Sequence, residues 1–344
     1  MTDLTSEVHE LLRRHIDTNY RLSIVIVGPP GSGKSTIAER LCDALNQEFH
    51  DFVDSHKTSI QLNEGPDDGT KLVDGFQDMP VDMESELKVN DGILPSIVED
   101  VDFQPVRETT KEDASEKTTI IGRGGRPNAI VIKEHSDLGT CKDDGNKVNI
   151  AQIVPMDGFH LSRSCLDQFT NPEVAHKRRG SAPTFDSNNF SALCKILAKT
   201  SKIPPKRIDS DEVWLKMAHS FYRDMPDILI PTFDHAQKDP APCNNVISRY
   251  TRILIYEGLY LLYDQENWKT IFSTIDDTGA AIFVNVNVPE TVLEERVAKR
   301  HLKSGLVDTL ESGREKFRSN DLLNARDIKA HMISSDLIQD ITNM

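Results

Sequence analysis

Eight consecutive residues, Gly28-Pro29-Pro30-Gly31-Ser32-Gly33-Lys34-Ser35, have the composition and spacing of a phosphate-binding loop. Glycines at such spacing let the backbone curl until successive N–H groups converge on phosphate oxygens at a helix N-terminus. Lys34 is placed to reach the outer phosphates, the Ser35 hydroxyl to ligate Mg²⁺, and Thr36 continues the same nucleotide site. The plainer alternative is a Gly/Pro turn that joins a strand to a helix and binds nothing. Eight matched positions weigh against it, and the pattern predicts binding of a nucleoside triphosphate.

Such a loop is shared by GTPases, motors, chaperones and kinases, so the reaction rests on other residues. Asn146-Lys147-Val148-Asn149 lacks the final acid that would read a guanine edge. Further on, Ile153-Val154-Pro155-Met156-Asp157-Gly158-Phe159-His160 puts a carboxylate just past the end of an apolar strand, where ligands bind in open α/β sheets. There Asp157 can accept the proton of an attacking hydroxyl, the one acid–base task of phosphoryl transfer. A turn residue bonding its own backbone is the alternative. Arg252-Ile253-Leu254-Ile255-Tyr256-Glu257-Gly258 reads as a buried strand ending in an acid, which places Glu257 near Mg²⁺ unless it faces bulk water.

Two loops and one helix add candidates. The run His176–Asp186 holds Lys177, Arg178 and Arg179 on a Gly/Pro-shaped loop. It is either a solvated basic stretch or a grip on an anionic or polyhydroxylated substrate. Phe233–Pro240, with Asp234 and His235, offers turn chemistry or substrate contact, and His160 joins the substrate candidates. Arg296 and Arg300 share a helix face four residues apart, where they can neutralise transferred phosphoryl charge. Glu295–Lys299-type pairing on an exposed helix is the alternative there.

The elements that must position these residues are legible as apolar runs. Leu22–Val27 reads as a buried strand before the loop, and Ile37, Leu41 and Leu45 fall at helical spacing after it. Further strands are expected at 150–155, 227–231, 252–256 and 281–288, with helices at 187–199 and 289–302. Pro289 suits the first turn of the last helix and Gly305 its end. Strands alternating with helices predict a parallel sheet covered on both faces. Leu4, Val8, Leu11, Leu12 and Ile16 mark an amphipathic helix at the start.

With 344 residues, one large α/β domain or two smaller ones can be built. A net charge of −15 argues against nucleic-acid or anionic-membrane partners. Cys42, Cys141, Cys165, Cys194 and Cys243 form no CxxC pair, which suggests reduced thiols. Asp3, Glu7 and Glu10 break any signal or transit peptide, and no run approaches a membrane span, so a cytoplasmic setting is expected. Residues 51–119 hold 18 Asp/Glu against 6 Lys/Arg, −12 of the chain's −15. Thr118–Ile121 and Ala129–Lys133 flank Gly122–Asn128 and read as a hairpin. Residues of roughly 51–148 therefore look like an insertion, either a solvated elaboration or a docking arm or cover over the site.

Taken in order, Met156–His160, Arg178–Asp186, Phe233–Pro240, Glu257–Leu262 with Trp268, Arg296–His301 and Phe317–Ala325 resemble the phosphoribulokinase/uridine kinase/pantothenate kinase family of P-loop kinases. The resemblance covers residues of roughly 20–50 and 149–330. It implies a five-stranded parallel sheet in an α/β/α sandwich with the loop strand central, a helical lid, ATP, Mg²⁺ and transfer of the γ-phosphoryl group to a hydroxyl. It also implies Lys34 and Ser35 at the phosphates and metal, Asp157 as base, Glu257 near Mg²⁺, and Arg296 and Arg300 in the lid. The chain is thus expected to be one kinase domain over 1–344 with an insertion at about 51–148. Gly180-Ser181-Ala182-Pro183 stands where relatives often run Gly-Ala-Pro, and nothing carries over onto the insertion.

The expected partner is a nucleoside-, vitamin- or sugar-like hydroxyl acceptor, and the sequence does not separate these. A homodimer, and a protein partner at the acidic stretch, are further options. The competing reading is a regulatory or scaffolding P-loop NTPase that uses this stretch to hold a protein. Asp157 and the basic loop favour the kinase.

Overall fold

A computed structural model describes residues 2–66, 79–80, 95–112, 115–134 and 148–343. Cys141, Asn146, Lys147 and residues 67–78 and 81–94 of the acidic stretch lie outside the described residues. In chain order, α1 (Thr2–His15) leads into β1 (Leu22–Val27) and α2 (Lys34–His56). The short β2 (Leu62–Asn63) and α3 (Pro95–Val98) precede β3 (Val106–Glu112), β4 (Ser115–Ile121) and β5 (Ile130–Lys133). Next come β6 (Ala151–Pro155), α4 (Arg163–Leu166), α5 (Pro172–Lys177), α6 (Ser187–Ser201), α7 (Val213–His219) and β7 (Phe221–Tyr222). They are followed by β8 (Asp227–Asp234), β9 (Asp239–Ile247), β10 (Ile253–Gly258), α8 (Lys269–Asp276) and β11 (Ala281–Asn287). The last elements are α9 (Glu290–Lys303), α10 (Leu310–Lys316), α11 (Leu322–Ala330) and β12 (Ile338–Thr342).

The main sheet has the order β12-β11-β1-β10-β6, every pairing is parallel, and the P-loop strand is central. Strands β1 and β10 are buried along their whole length, as continuous apolar runs must be when helices cover both faces. One face packs α1, α2 and α7 through Val8, Leu12, Leu45, Phe49 and Met217. The other packs α6 and α8 through Phe190, Leu193, Ile271 and Ile275.

A second sheet, β3-β4-β5-β8-β9, is antiparallel throughout. Its Ile120, Ile130, Ile132, Ile228 and Ile230 share the core with α6. Here the expectation drawn from strand–helix alternation needs a correction. The strand foreseen at 227–231 exists, but as part of β8 in this second sheet. Its first half alternates in burial, the mark of a sheet covered on one side. The fifth strand of the main sheet is instead β12, an edge strand whose mixed polar sequence gave no apolar signal. Asp340 secures it by accepting from Asn285 Nδ2 and Asn287 Nδ2, each at 2.8 Å. The expected hairpin forms between β4 and β5.

Candidate active site

β1 ends at Val27 and α2 begins at Lys34, so the six intervening residues must reverse direction at the sheet's C-terminal edge. Gly31 and Gly33 do so with φ of +83° and +88°, a region that L side chains rarely enter. Ser32 N donates to Pro29 O at 3.0 Å and closes the turn. Ser32 Oγ is buried in the loop with no protein partner, while Gly28 passes close beneath it. The loop's N–H groups and the start of a 23-residue helix together form an electropositive cradle for anions.

Parallel register aligns Ile26 with Glu257 and Glu257 with Pro155, so the ends of β1, β10 and β6 lie side by side. Glu257 is only 7% exposed. Its Oε1 is 3.3 Å from Lys34 Nζ and accepts from Ser35 Oγ at 3.1 Å. Burial pushes the Glu257 carboxyl above the usual carboxylate range, Lys34 pulls it back, and the nearby Asp157 charge pushes it up again. A buried carboxylate beside a hydroxyl is a hard oxygen set suited to Mg²⁺, which keeps few protein ligands.

Asp157 lies in a single 3₁₀ turn, Met156–Phe159, directly after β6. Its carbonyl accepts from His160 N at 3.2 Å and from His160 Nδ1 at 2.8 Å. The His160 ring packs against Phe185 and Phe233 at 4.0 and 4.9 Å, and burial holds its pKa below the ordinary value. Gly158 meets β8 so closely that a Cβ there would lie 2.1 Å from Pro231 O. The turn is therefore wedged between two sheets.

Helix α9 crosses the loop from the other side. Leu293 and Val297 form a small core with Phe317, and a Cβ on Gly31 would lie 2.8 Å from Val297 Cγ2. Arg296 Nη1 donates to Gly31 O at 3.4 Å and to Asn343 O at 3.2 Å. Arg300 is exposed one turn farther on, beside the His301–Asp321 pair at 3.7 Å. Glu295 pairs with Lys299 and Arg314 on the outer face, so the helix carries both surface ion pairs and an arginine at the loop. A cavity of about 710 Å³ opens between Gly33, Thr36, Ile37, Arg296 and the end of β12.

The second group of sequence candidates is engaged in internal contacts. Arg179 donates to Lys238 O at 2.6 Å and Leu161 O at 2.9 Å, pairs with Asp239 at 2.6 Å, and sits over the Phe233 ring. Arg178 donates to Asn320 Oδ1 at 2.8 Å and Asn324 Oδ1 at 2.7 Å. These bonds tie its loop to the helical segment after α10. Asp234 Oδ1 accepts from Ala236 N and Gln237 N and shapes the β8–β9 turn, with exposed His235 at its tip. The structure thus gathers the P-loop, Glu257, Asp157, His160 and Arg296 at one sheet edge, with Arg178 and Arg179 bracing the loop beside it.

Two site-forming residues escaped the sequence reading. Asn343 Nδ2 donates to Ser32 O at 2.7 Å and covers Gly33. Asn128, in the hairpin loop, donates to the turn that carries Asp157. A lone asparagine carries no sequence signal for such a role. The glycines around Asn128 fit a tight backbone approach, but in the sequence that stretch reads only as a hairpin.

Comparison with known proteins fits this geometry. A family model described as AAA domain (dynein-related subfamily) matches residues 23–61, which take in most of β1, the glycine loop and α2. The ATP-dependent kinase YFH7 of Saccharomyces cerevisiae strain S288c is 49% identical over 346 residues, covering 99% of this chain and 98% of its own length. ATP-dependent kinase YFH7 of Vanderwaltozyma polyspora is 48% identical over 343 residues, covering 96% of this chain and 95% of its own. A crystal structure of the S. cerevisiae YFH7, described as a P-loop containing kinase with a circular permutation, superposes with a TM-score of 0.86 at 48% identity. It covers 100% of this chain and 99% of its own. A fructose transport system kinase from Silicibacter sp. TM1040 shares the fold, with a TM-score of 0.52 at 21% identity and 98% and 97% coverage.

Proposed function

The chain belongs to the family of the fungal ATP-dependent kinase YFH7, P-loop kinases related to the uridine and pantothenate kinases, and on that premise we propose that it transfers the γ-phosphoryl group of ATP to a hydroxyl of a small metabolite. The observation that carries this reading is the alignment of three strand ends, which places Lys34, Glu257 and Asp157 together at one edge. In it, the loop N–H groups and Lys34 hold the triphosphate, and the cavity beside Thr36 and Arg296 takes the nucleoside. Ser35 and Glu257 would hold Mg²⁺, which would supply charge neutralisation at the phosphates. Lys34 turns from Glu257 toward the phosphate, exchanging one anion for another at little cost. Asp157 accepts the proton of the acceptor hydroxyl. Arg296 reaches in from α9 to the loop, and Arg300 follows it when the lid closes. The acceptor lies over His160 and the Arg178–Arg179 loop, with Asp234 and His235 at the rim.

Asp157→Asn tests this directly. It is expected to lower turnover of Mg·ATP by about 10²-fold or more while a fluorescent ATP analogue still binds with near wild-type affinity. Full activity in this variant would remove Asp157 from the reaction.

A further inference from the structure

The carbonyls of residues 157–160 are all engaged. Asp157 O accepts from His160, and Phe159 O accepts from Asp186 N at 2.7 Å. The other two, Gly158 O and His160 O, both accept from the single amide Nδ2 of Asn128, at 2.8 and 2.9 Å. Asn128 is fully buried and comes from the β4–β5 loop, 30 residues upstream of Gly158. Its own carbonyl accepts from Asn189 Nδ2 at 2.7 Å, which fixes it to α6. The buried Asp186 accepts from Gly124 N at 2.7 Å and Asn189 N at 3.1 Å, and buried Arg123 donates to Pro183 O and Phe185 O. The loop is therefore anchored by bonds additional to the two that Asn128 makes to the turn.

We infer that Asn128 is a positioning residue that fixes the turn bearing Asp157, and that the β4–β5 hairpin loop is part of the catalytic apparatus. Two adjacent carbonyls need a group with two protons on one atom and no negative charge. Among side chains short enough for this gap, the asparagine amide meets both conditions. A base must lie within hydrogen-bond reach of the proton it takes, so small shifts of its turn lower the rate without altering the donor side.

The inference rests on Asp157 being the base, and the experiment separates the two claims. Mg·ATP turnover, with water as acceptor, is measured for Asn128→Ala, for the isosteric Asn128→Asp, for Asp157→Asn and for Asn128→Ala/Asp157→Asn. Binding of a fluorescent ATP analogue is followed in parallel. Each Asn128 variant is expected to lose about 10-fold in kcat with KM for ATP within about twofold. Asn128→Ala should add no further loss in the Asp157→Asn background, because it acts through that carboxylate. Unchanged turnover in both Asn128 variants overturns the inference. So does loss of analogue binding along with turnover, or a double variant that falls by the full product. A fully active Asp157→Asn overturns the base assignment itself, and the inference with it.

Discussion

On the proposed donor side, the loop from Gly28 to Gly33, with Lys34 and Ser35, is one contiguous strand–loop–helix unit whose polar groups are mostly backbone N–H. On the acceptor side, the Asp157 turn, the Arg178–Arg179 loop and the β8–β9 hairpin come from separate segments joined by side chains. Arg179 reaches Lys238 across 59 residues of sequence, and Arg178 reaches Asn324 across 146. The donor side joins Lys34 and Ser35 to the Glu257 carboxylate at the sheet edge. The acceptor side commits Arg178 to Asn320 and Asn324, Arg179 to Lys238, Leu161 and Asp239, and Asp234 to the backbone of its own turn. A difference in use follows: donor-side changes should act on chemistry, and acceptor-side arginine changes first on folding.

The largest effect should come from Lys34→Ala, which removes the cation proposed to meet the phosphates. Steady-state assays are expected to find turnover reduced about 10³-fold, with thermal stability near wild type. A marked loss of stability would show the Lys34–Glu257 pair to be structural and would blur the contrast.

Arg179→Ala should show the opposite signature. It removes the ion pair to Asp239, which keeps its bond from Arg163 N. It also leaves the carbonyls of Leu161 and Lys238 without Arg179, at a total cost of about 2 kcal/mol in denaturant unfolding. Stability within about 0.5 kcal/mol of wild type would free Arg179 for substrate and break the comparison.

Arg296→Ala lies between these. It loses two bonds to carbonyls, at Gly31 and Asn343, and a cation proposed to meet the nucleotide. Turnover should fall about 10-fold to 10²-fold, with weaker ATP binding by titration and little change in stability. An equal effect from Arg300→Ala would place both arginines at the phosphates in the closed state.

The smallest effect concerns pH. Burial depresses the pKa of His160 and of His301 below 6.5 in the folded protein. Between the depressed value and 6.5 the unfolded chain binds more protons than the folded one. Their contribution to stability is therefore complete above about pH 6.5 and is lost as pH falls through the folded values. The raised carboxyls of Glu257, Asp186 and Asp321 act in the opposite sense, so the expected signature is a difference. Between pH 7 and 5 the melting temperature of wild type should fall relative to that of His160→Asn. An identical slope in that variant would remove the acceptor-side histidine from the account.

The same contrast explains what the sequence made legible. Continuous apolar runs such as Ile24–Val27 and Ile253–Tyr256 announce strands buried on both faces, and the glycine spacing announces the loop, because both are local patterns. The motif set carried the parallel order of the main sheet with β1 at its centre. Asp227–Pro231 misled because an apolar run fits either sheet until its neighbours are known. β12 carries no local signal at all, since Asn285 and Asn287 hold it through Asp340. Asn128 and Asn343 are invisible for a related reason: their partners are carbonyls of distant segments, and any residue offers a carbonyl.

The central claim is tested most directly by incubating the protein with Mg²⁺ and ATP labelled in the γ-phosphate against a panel of nucleosides, sugars and vitamins. The account predicts that label passes to the hydroxyl of one acceptor class, that this acceptor accelerates ATP consumption, and that Asp157→Asn abolishes the transfer. Release of inorganic phosphate alone, at a rate no panel member changes, would contradict it and favour the nucleotide-gated scaffold.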